Sequence, residues 1–264
     1  MDAGILQQVN AVGMQPLAWA LAALLAVALG FAVRKLLRVI GHLPLARLGW
    51  RGRRAPREYV RALFDGYAGH YDRHLLVDLD YQAANRVSSA LGDHLASGAA
   101  PPGRALDLGC GTGLLGVLIA PRVGYLAGVD LSPKMLRGAA RRRVYDELFQ
   151  ADVVDFLRRP QQAYDLVTAA DMLVYLGELG TLMEAIVSRL NPGGVFICTT
   201  EYQPEPGYRL RRTGRFAHHP AYLRDVARAA GMVVVSQAEV VLRTQRDAPV
   251  VGHVHVLAKG FVPQ

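Results

Sequence analysis

A glycine-rich turn, Asp107-Leu108-Gly109-Cys110-Gly111-Thr112-Gly113, follows a short apolar run and leads into a helical stretch that starts near Leu114. Glycines at such a point let the chain turn sharply and let a ligand reach main-chain atoms with no Cβ in the way. Gly111-x-Gly113-x-x-Gly116 also fits the dinucleotide fingerprint, so glycine spacing leaves the ligand open. Asp107 narrows the choice. A pyrophosphate is best served by bare N–H groups at a helix N-terminus, and a carboxylate two residues before the first glycine opposes it. S-adenosylmethionine has no phosphate and carries an ammonium and a sulfonium, charges that an acid in this place suits. Asp130 ends the next apolar run, where a carboxylate can accept hydrogen bonds from both hydroxyls of a ribose. NAD sites use the same device, so Asp130 supports an adenosine ligand without deciding which. Asp152 follows a third run and is placed to face an adenine amino group; a lone aspartate there also serves as a helix N-cap.

These residues need elements to hold them. From Pro101 onward, short apolar runs alternate with helical stretches, the pattern of a parallel, doubly wound α/β sheet. The spacing predicts strands near 104–108, 125–129, 147–150, 165–169, 194–200, 232–241 and 250–258, with helices in most of the gaps. In open sheets of this kind the ligand crevice lies outside the carboxyl ends of the strands. The first three strands then hold the adenosine ligand, and Asp171, Tyr175, Glu201 and Tyr202, just past the fourth and fifth, face a second reactant. A helix predicted over 58–76 carries Phe64, Tyr67, His70, Tyr71 and His74, either as a lid that excludes water or as ordinary packing on the sheet. The connection 201–220 is unusually long and gathers Arg209, Arg211, Arg212, Arg215, His218 and His219; connections of this length are usually functional. If a proton must be removed, His218 is the first candidate, because its ordinary pKa lies near 6.5, and Glu201 the second. Arg215 would orient an anionic or carbonyl group.

The runs ALDLGCGTG, GVDLSPKML, QADVVDFL, YDLVTAADMLVYLGEL and LNPGG resemble the class I S-adenosylmethionine-dependent methyltransferases over roughly residues 58–260. FDGYAGHYDRHL ahead of the fold and TGRFAH after the fifth strand look most like the bacterial type often fused to tetratricopeptide repeats, itself similar to quinone-biosynthesis methyltransferases. Helical repeats are not found in this sequence. The resemblance implies a Rossmann-like seven-stranded α/β fold, S-adenosylmethionine as cofactor, and methyl transfer to a small-molecule acceptor. It implies that Asp107, Gly109, Cys110, Gly111 and Gly113 line the methionine side, Asp130 and Leu131 the ribose, Asp152 and Val153 the adenine, and Asp171 the mouth of the cleft. Tyr67, Tyr71, Tyr175 and Tyr202 are expected on the acceptor side, with His218, Glu201 and Arg215 as the catalytic candidates. The competing expectation is a non-catalytic scaffold or sensor that binds an adenosine ligand at a membrane. An NAD(P)-dependent oxidoreductase is disfavoured by Asp107 and by the lack of a recognisable Tyr-x-x-x-Lys arrangement.

Charge and hydropathy organise the rest of the 264 residues. No charged residue occurs between Asp2 and Arg34, and Pro16 to Val33 has no polar side chain. At about 1.5 Å per residue that stretch spans ~27 Å, close to the roughly 30 Å of a bilayer core, and a single transmembrane helix is expected. The net charge of +8 is concentrated beyond it, in Arg34, Lys35, Arg38, Arg47, Arg51, Arg53, Arg54, Arg57 and Arg61, against the single acid Glu58. That asymmetry predicts a single-pass chain whose body faces the cytoplasm, with the arginines of the linker on lipid headgroups. From Ala62 onward 21 basic residues meet 20 acidic ones, which argues against a nucleic-acid partner. The expected division is therefore 1–33 as tail and transmembrane helix, 34–57 as basic juxtamembrane linker and 58–264 as methyltransferase domain. Two cysteines, Cys110 and Cys198, in no Cys/His ligand spacing, predict a reducing compartment and no metal site. Nothing in the sequence fixes an oligomeric state.

Overall fold

The computed structural model describes Trp50, residues 52–160 and residues 162–260. The expected transmembrane helix and most of the linker lie outside the described residues. Among the described residues no helix is long and apolar enough to cross a membrane.

Seven strands form one sheet: β1 (Arg104–Leu108), β2 (Tyr125–Asp130), β3 (Glu147–Gln150), β4 (Tyr164–Ala169), β5 (Leu190–Glu201), β8 (Met232–Gln245) and β9 (Ala248–Lys259). Their order is β3-β2-β1-β4-β5-β9-β8. The strands from β3 to β5 run parallel, and β9 enters antiparallel to β5 and β8. β1 sits at the centre, and Ala105, Leu106 and Leu108 are wholly buried, which is why this strand reads as an unbroken apolar run rather than an alternating one. The chain leaves β1 toward β2 and β3, then returns to β4 on its other side. That reversal opens the crevice at the carboxyl ends of β1 and β4. The β8–β9 hairpin closes through Arg246 and Asp247, both with positive φ, as a two-residue turn of the primed kind requires.

Helices cover both faces. α6 (Val153–Arg158), α7 (Gly180–Arg189) and α8 (Pro220–Ala229) bury Phe156, Leu157, Met183, Ile186 and Leu223 against one face, with Phe196 and Leu257 beneath them. α3 (Ala83–Ala96) and α4 (Leu114–Ile119) bury Val87, Leu91 and Ile119 on the other, against Leu126, Leu166 and Ile197. α5 (Pro133–Arg142) starts from a Ser132 cap whose hydroxyl accepts from the Met135 N–H.

Two expectations change. The lid is not one helix over 58–76: α1 (Arg57–Tyr67) ends before Gly69, and the chain resumes as α2 (Tyr71–Arg73) and a π-helical turn over His74–Asp78. Gly66 and Gly69 weaken helix there, and the wider turn is closed by the Leu79 N–H on the His74 carbonyl, 3.1 Å. The connection 201–220 is likewise not a bare loop. It folds into a hairpin of β6 (Tyr208–Leu210) and β7 (Phe216–His218), and Phe216, Ala217 and His218 are buried.

Candidate functional site

The turn after β1 wraps back on β2: the Gly109 and Cys110 N–H groups donate to the Val129 carbonyl at 2.8 and 3.1 Å. Gly109, Gly111 and Gly113 have φ of +65°, +56° and +87°, a left-handed run that side chains rarely adopt. Gly113 heads α4, and its N–H donates to the Cys110 carbonyl at 2.9 Å, closing the turn. Asp130, at the end of β2, accepts from the Gly111 N–H at 3.0 Å and the Ser132 N–H at 2.7 Å.

Two adjoining cavities follow from this arrangement. The larger, about 690 Å³ and open to solvent, is lined by Gly109, Gly111, Asp130, Leu131, Asp152, Val153 and Asp171 on the sheet side and by Ala55, Val60, Phe64 and Tyr71 opposite. The smaller lies against Asp107, Gly109, Cys110 and Gly111, closed by Tyr71 and Tyr81. Together they place every residue expected to bind the cofactor along one cleft except Gly113, which shapes the turn from behind.

The electrostatics differ along its length. Asp107 is buried; burial pushes its carboxyl up to about 7, against the opposing hydrogen bonds from the Tyr145 hydroxyl (2.8 Å) and the Thr168 hydroxyl (3.1 Å). Burial also raises Asp130, to about 6, although the Ser132 and Gly111 N–H groups pull it back. A buried acid with its charge partly suppressed gains most from a cation, which fits an ammonium in the smaller cavity. Tyr145 was not visible as a site residue in the sequence. It enters from the α5–β3 connection and wedges beneath the glycine turn: a Cβ at Gly113 would stand 3.0 Å from its ring, one at Gly128 2.9 Å, and one at Gly116 would overlap its hydroxyl.

Asp152 lines the cleft, but its carboxylate is already engaged. Oδ1 accepts from the Val154 and Asp155 N–H groups at 3.0 and 3.3 Å, capping α6. Oδ2 pairs with Arg54, and with Arg57 Nε at 3.0 Å. An adenine amino group would have to displace one of these partners, so the expected contact to adenine is not what this geometry shows. The arginines themselves were expected on lipid headgroups; Arg54 and Arg57 are instead paired with Asp152 on the cleft wall, partly exposed.

Of the four tyrosines expected on the acceptor side, the structure places two on the cleft wall and two off it. Tyr71 and Tyr175 line the cleft. Tyr67 stands behind Tyr71, ring centroids 5.1 Å apart and edge-on, as a second layer. Tyr202 packs on His253 and is not on the cleft wall. Burial raises the Tyr71 and Tyr175 phenols, the latter to about 12, so both are O–H donors at neutral pH. Asp171 has a positive φ of +57°, an uncommon conformation for a residue with a side chain, held by its N–H on the Thr199 hydroxyl at 2.9 Å.

Behind Asp171 lies a buried ionic cluster. Arg215 pairs with Asp171, donates to Glu201 Oε1 at 2.6 Å and reaches the Tyr175 hydroxyl at 3.4 Å. Arg243 from β8, which sequence reading missed, donates to the same Glu201 oxygen at 2.6 Å. Burial alone would raise Glu201, but the two guanidiniums outweigh it and hold its carboxyl at about 2. A carboxylate that acidic is a poor general base. His218 is buried in β7, its Nε2–H donating to the Leu176 carbonyl at 2.9 Å, and burial lowers it to about 4. It stacks on Tyr222 and lies off the cleft wall, which corrects the expectation of a histidine base. Of the three catalytic candidates, Arg215 touches the side chains of the cleft-lining Asp171 and Tyr175, His218 reaches only the Leu176 backbone carbonyl, and Glu201 touches the cleft through Arg215.

Residues 106–196 match the family model of a methyltransferase domain. The chain is 36% identical over 137 residues to a trans-aconitate 2-methyltransferase of Methylobacterium nodulans, covering 50% of each protein. It is 28% identical over 151 residues to a ubiquinone biosynthesis O-methyltransferase of Aeromonas salmonicida, covering 50% of this chain and 63% of that one. The chain thus spans less than two thirds of the length of these relatives. The structure resembles a Burkholderia thailandensis 1,6-didemethyltoxoflavin-N1-methyltransferase solved with S-adenosylhomocysteine, with a TM-score of 0.61, 21% identity and coverage of 80% and 93%. It also resembles the [4+2]-cyclase SpnF, with a TM-score of 0.62, 21% identity and coverage of 81% and 100%. What this chain shares with these proteins is the seven-stranded Rossmann-like fold and, over residues 106–196, the sequence pattern of a methyltransferase domain.

Proposed function

We propose that the chain is an S-adenosylmethionine-dependent methyltransferase of the class I type, acting on a small molecule. The observation that carries this reading is the pairing of a glycine turn with two buried, charge-starved acids, Asp107 and Asp130, along a single cleft at the sheet's reversal point. The residues fit the cofactor: Asp107 would hold its ammonium, Asp130 its ribose hydroxyls, and Leu131 and Val153 its purine. Bound there, the cofactor supplies a methyl carbon activated by a sulfonium. Tyr71, backed by Tyr67, and Phe64 exclude water, while Tyr175 and Asp171, braced by Arg215, form the wall an acceptor would meet. With Glu201 and His218 unsuited to take a proton, transfer relies on holding the acceptor about 3 Å away and in line, a source of catalysis that needs no base.

The finer reading is that the acceptor is lipophilic and that the chain is held to a membrane through 1–33, with its body in the cytoplasm. Its support is the uncharged, apolar run from Pro16 to Val33 and the basic residues that follow. The relatives named for ubiquinone biosynthesis fit a lipophilic acceptor, and those named for trans-aconitate a polar one.

Likeness to a cyclase makes methyl transfer itself the necessary test. Purified protein is expected to bind S-adenosylhomocysteine, with Asp130→Ala at least ten-fold weaker, about 1.4 kcal/mol, and to move labelled methyl from S-adenosylmethionine into a membrane extract. Binding without transfer to any extract would favour the scaffold reading; tight NADH binding with no response to S-adenosylhomocysteine would sink both. For topology, the protein should stay with membranes through a high-salt wash and a reporter after Gln264 should behave as cytoplasmic. Release by salt would mean that surface charge, not a helix, holds it.

A further inference from the structure

The stretch Gly52–Pro56 precedes every helix and strand among the described residues, yet it is built into the cleft. Its backbone pairs with the loop that follows β4: the Ala55 N–H donates to the Tyr175 carbonyl at 2.8 Å, and the Gly177 and Glu178 N–H groups donate to the Arg53 carbonyl at 2.8 and 3.0 Å. Ala55 is 2% exposed and Val60 8%, packed with Phe64, Leu131 and Tyr175. Arg54 and Arg57 cross to the far side of the cleft, where both reach the 4% exposed Asp152 carboxylate. Arg57 also grips Asp155 with two parallel hydrogen bonds of 2.5 and 2.9 Å, the bidentate geometry that fixes direction as well as distance. The strap therefore bridges two walls: backbone bonds to the loop after β4 on one side, and a charge latch to the start of α6 on the other.

Two consequences separate this from a surface ion pair. Asp152 has about two acceptor sites per oxygen, and all of them are occupied, so its contribution to the cleft is to hold the strap. The arginines remain 37% and 40% exposed, so the latch can open while the backbone bonds to the β4 loop persist. A ligand lying between Leu131 and Ala55 would be trapped under a closed strap and would meet water with the latch open.

We propose that Gly52–Arg57 is a working wall of the adenosine end of the cleft, latched by Arg54 and Arg57 on Asp152, so that cofactor binding and latch closure favour each other. Arg54 and Arg57 are positioning residues in this scheme, and the proposal rests on the cleft being the cofactor site. Because the coupling is reciprocal, the cofactor should protect the strap as much as the strap retains the cofactor.

The test uses the full chain in detergent with S-adenosylhomocysteine as probe and trypsin as reporter, reading cleavage after Arg54 and after Arg57 by mass spectrometry. Saturating S-adenosylhomocysteine should slow both cuts at least five-fold. Unchanged cleavage would make the pairs incidental, and faster cleavage would mean that the ligand expels the strap; either overturns the proposal. In parallel, the Arg54→Ala/Arg57→Ala double variant should bind S-adenosylhomocysteine at least ten-fold more weakly, with Arg57→Lys intermediate, while tighter binding by the double variant would refute the latch. If the double variant does not fold, the wild-type protection experiment decides alone. Binding by the wild type with an unprotected strap removes only the latch, whereas no binding at all removes the cofactor reading and the latch with it.

Discussion

Asp107 gives the most demanding prediction, because both its sign and its size follow from the structure. Burial holds its carboxyl at about 7. A ligand ammonium prefers the ionised form, so the complex keeps Asp107 charged and affinity falls as pH drops below 7. At pH 5.5 only about 3% of a group with that pKa is ionised, a loss of roughly 30-fold, or about 2 kcal/mol, relative to the fully ionised site. Asp130, at about 6, steepens the fall at the acid end. The ligand's amino group stands beside its own ionised carboxylate and keeps its proton well above neutrality, so the protein's acids set the acid limb. Calorimetric titration of S-adenosylhomocysteine at constant ionic strength should therefore show affinity rising from pH 5.5 and levelling off about one pH unit above the Asp107 value. Asp107→Asn should flatten the acid limb and bind about ten-fold more weakly at pH 7.5. Affinity constant within two-fold from pH 5.5 to 7.5, or rising on acidification, would refute the reasoning.

Tyr145→Phe removes a hydrogen bond to the Asp107 carboxylate, so the midpoint of that acid limb should move up by about half a pH unit to one unit, read from the same titrations. Glu201 is held at about 2 in the folded chain, below its ordinary 4.5. Its contribution to stability is thus present above about 4.5 and lost as pH falls toward 2; acid-induced urea unfolding should show this, and Glu201→Gln should lose it. Arg215→Ala leaves Glu201 and Asp171 short of a partner in a buried site and should cost roughly 3–5 kcal/mol by urea denaturation. His218→Ala should lower the melting temperature yet leave S-adenosylhomocysteine affinity within three-fold; a large loss of affinity in a well-folded variant would return this histidine to the site.

Central strands were readable because they are buried on both faces. β1, at the centre, begins and ends where its apolar run does; β3 and β8 lie at the sheet edges and are largely exposed or half-buried, and β5, β8 and β9 extend further into their turns than the spacing predicts. The glycine turn, Asp107 and Asp130 were readable for a related reason: their chemistry lies in consecutive residues or at a strand end. What stayed hidden depends on contacts between distant parts of the chain. Arg54 looked like one more base in a basic linker until Asp152 came beside it. Arg243 sat in a strand with no local sign that its guanidinium would meet Glu201. His218 misled because a histidine in a long connection suggests an exposed base, and only the β6–β7 pairing shows that its neighbours Phe216 and Ala217 carry it into the core.

Gly116, the last glycine of the fingerprint, bears on how such motifs are compared between proteins. In a dinucleotide site the third glycine is read as making room for close helix–strand packing. In this chain the space is filled by Tyr145, whose hydroxyl occupies the place a Cβ would take. Gly116 and Tyr145 are therefore one unit of inheritance: an alanine at 116 is tolerable only alongside a side chain smaller than a phenyl ring at 145, and removing the hydroxyl alone does not clear the ring carbon behind it. Homologues that keep the glycine should keep a ring at the partner position, and those that lose one should lose both. The same letter in two aligned motifs can then mark close helix–strand packing in one protein and room for a tyrosine in the other.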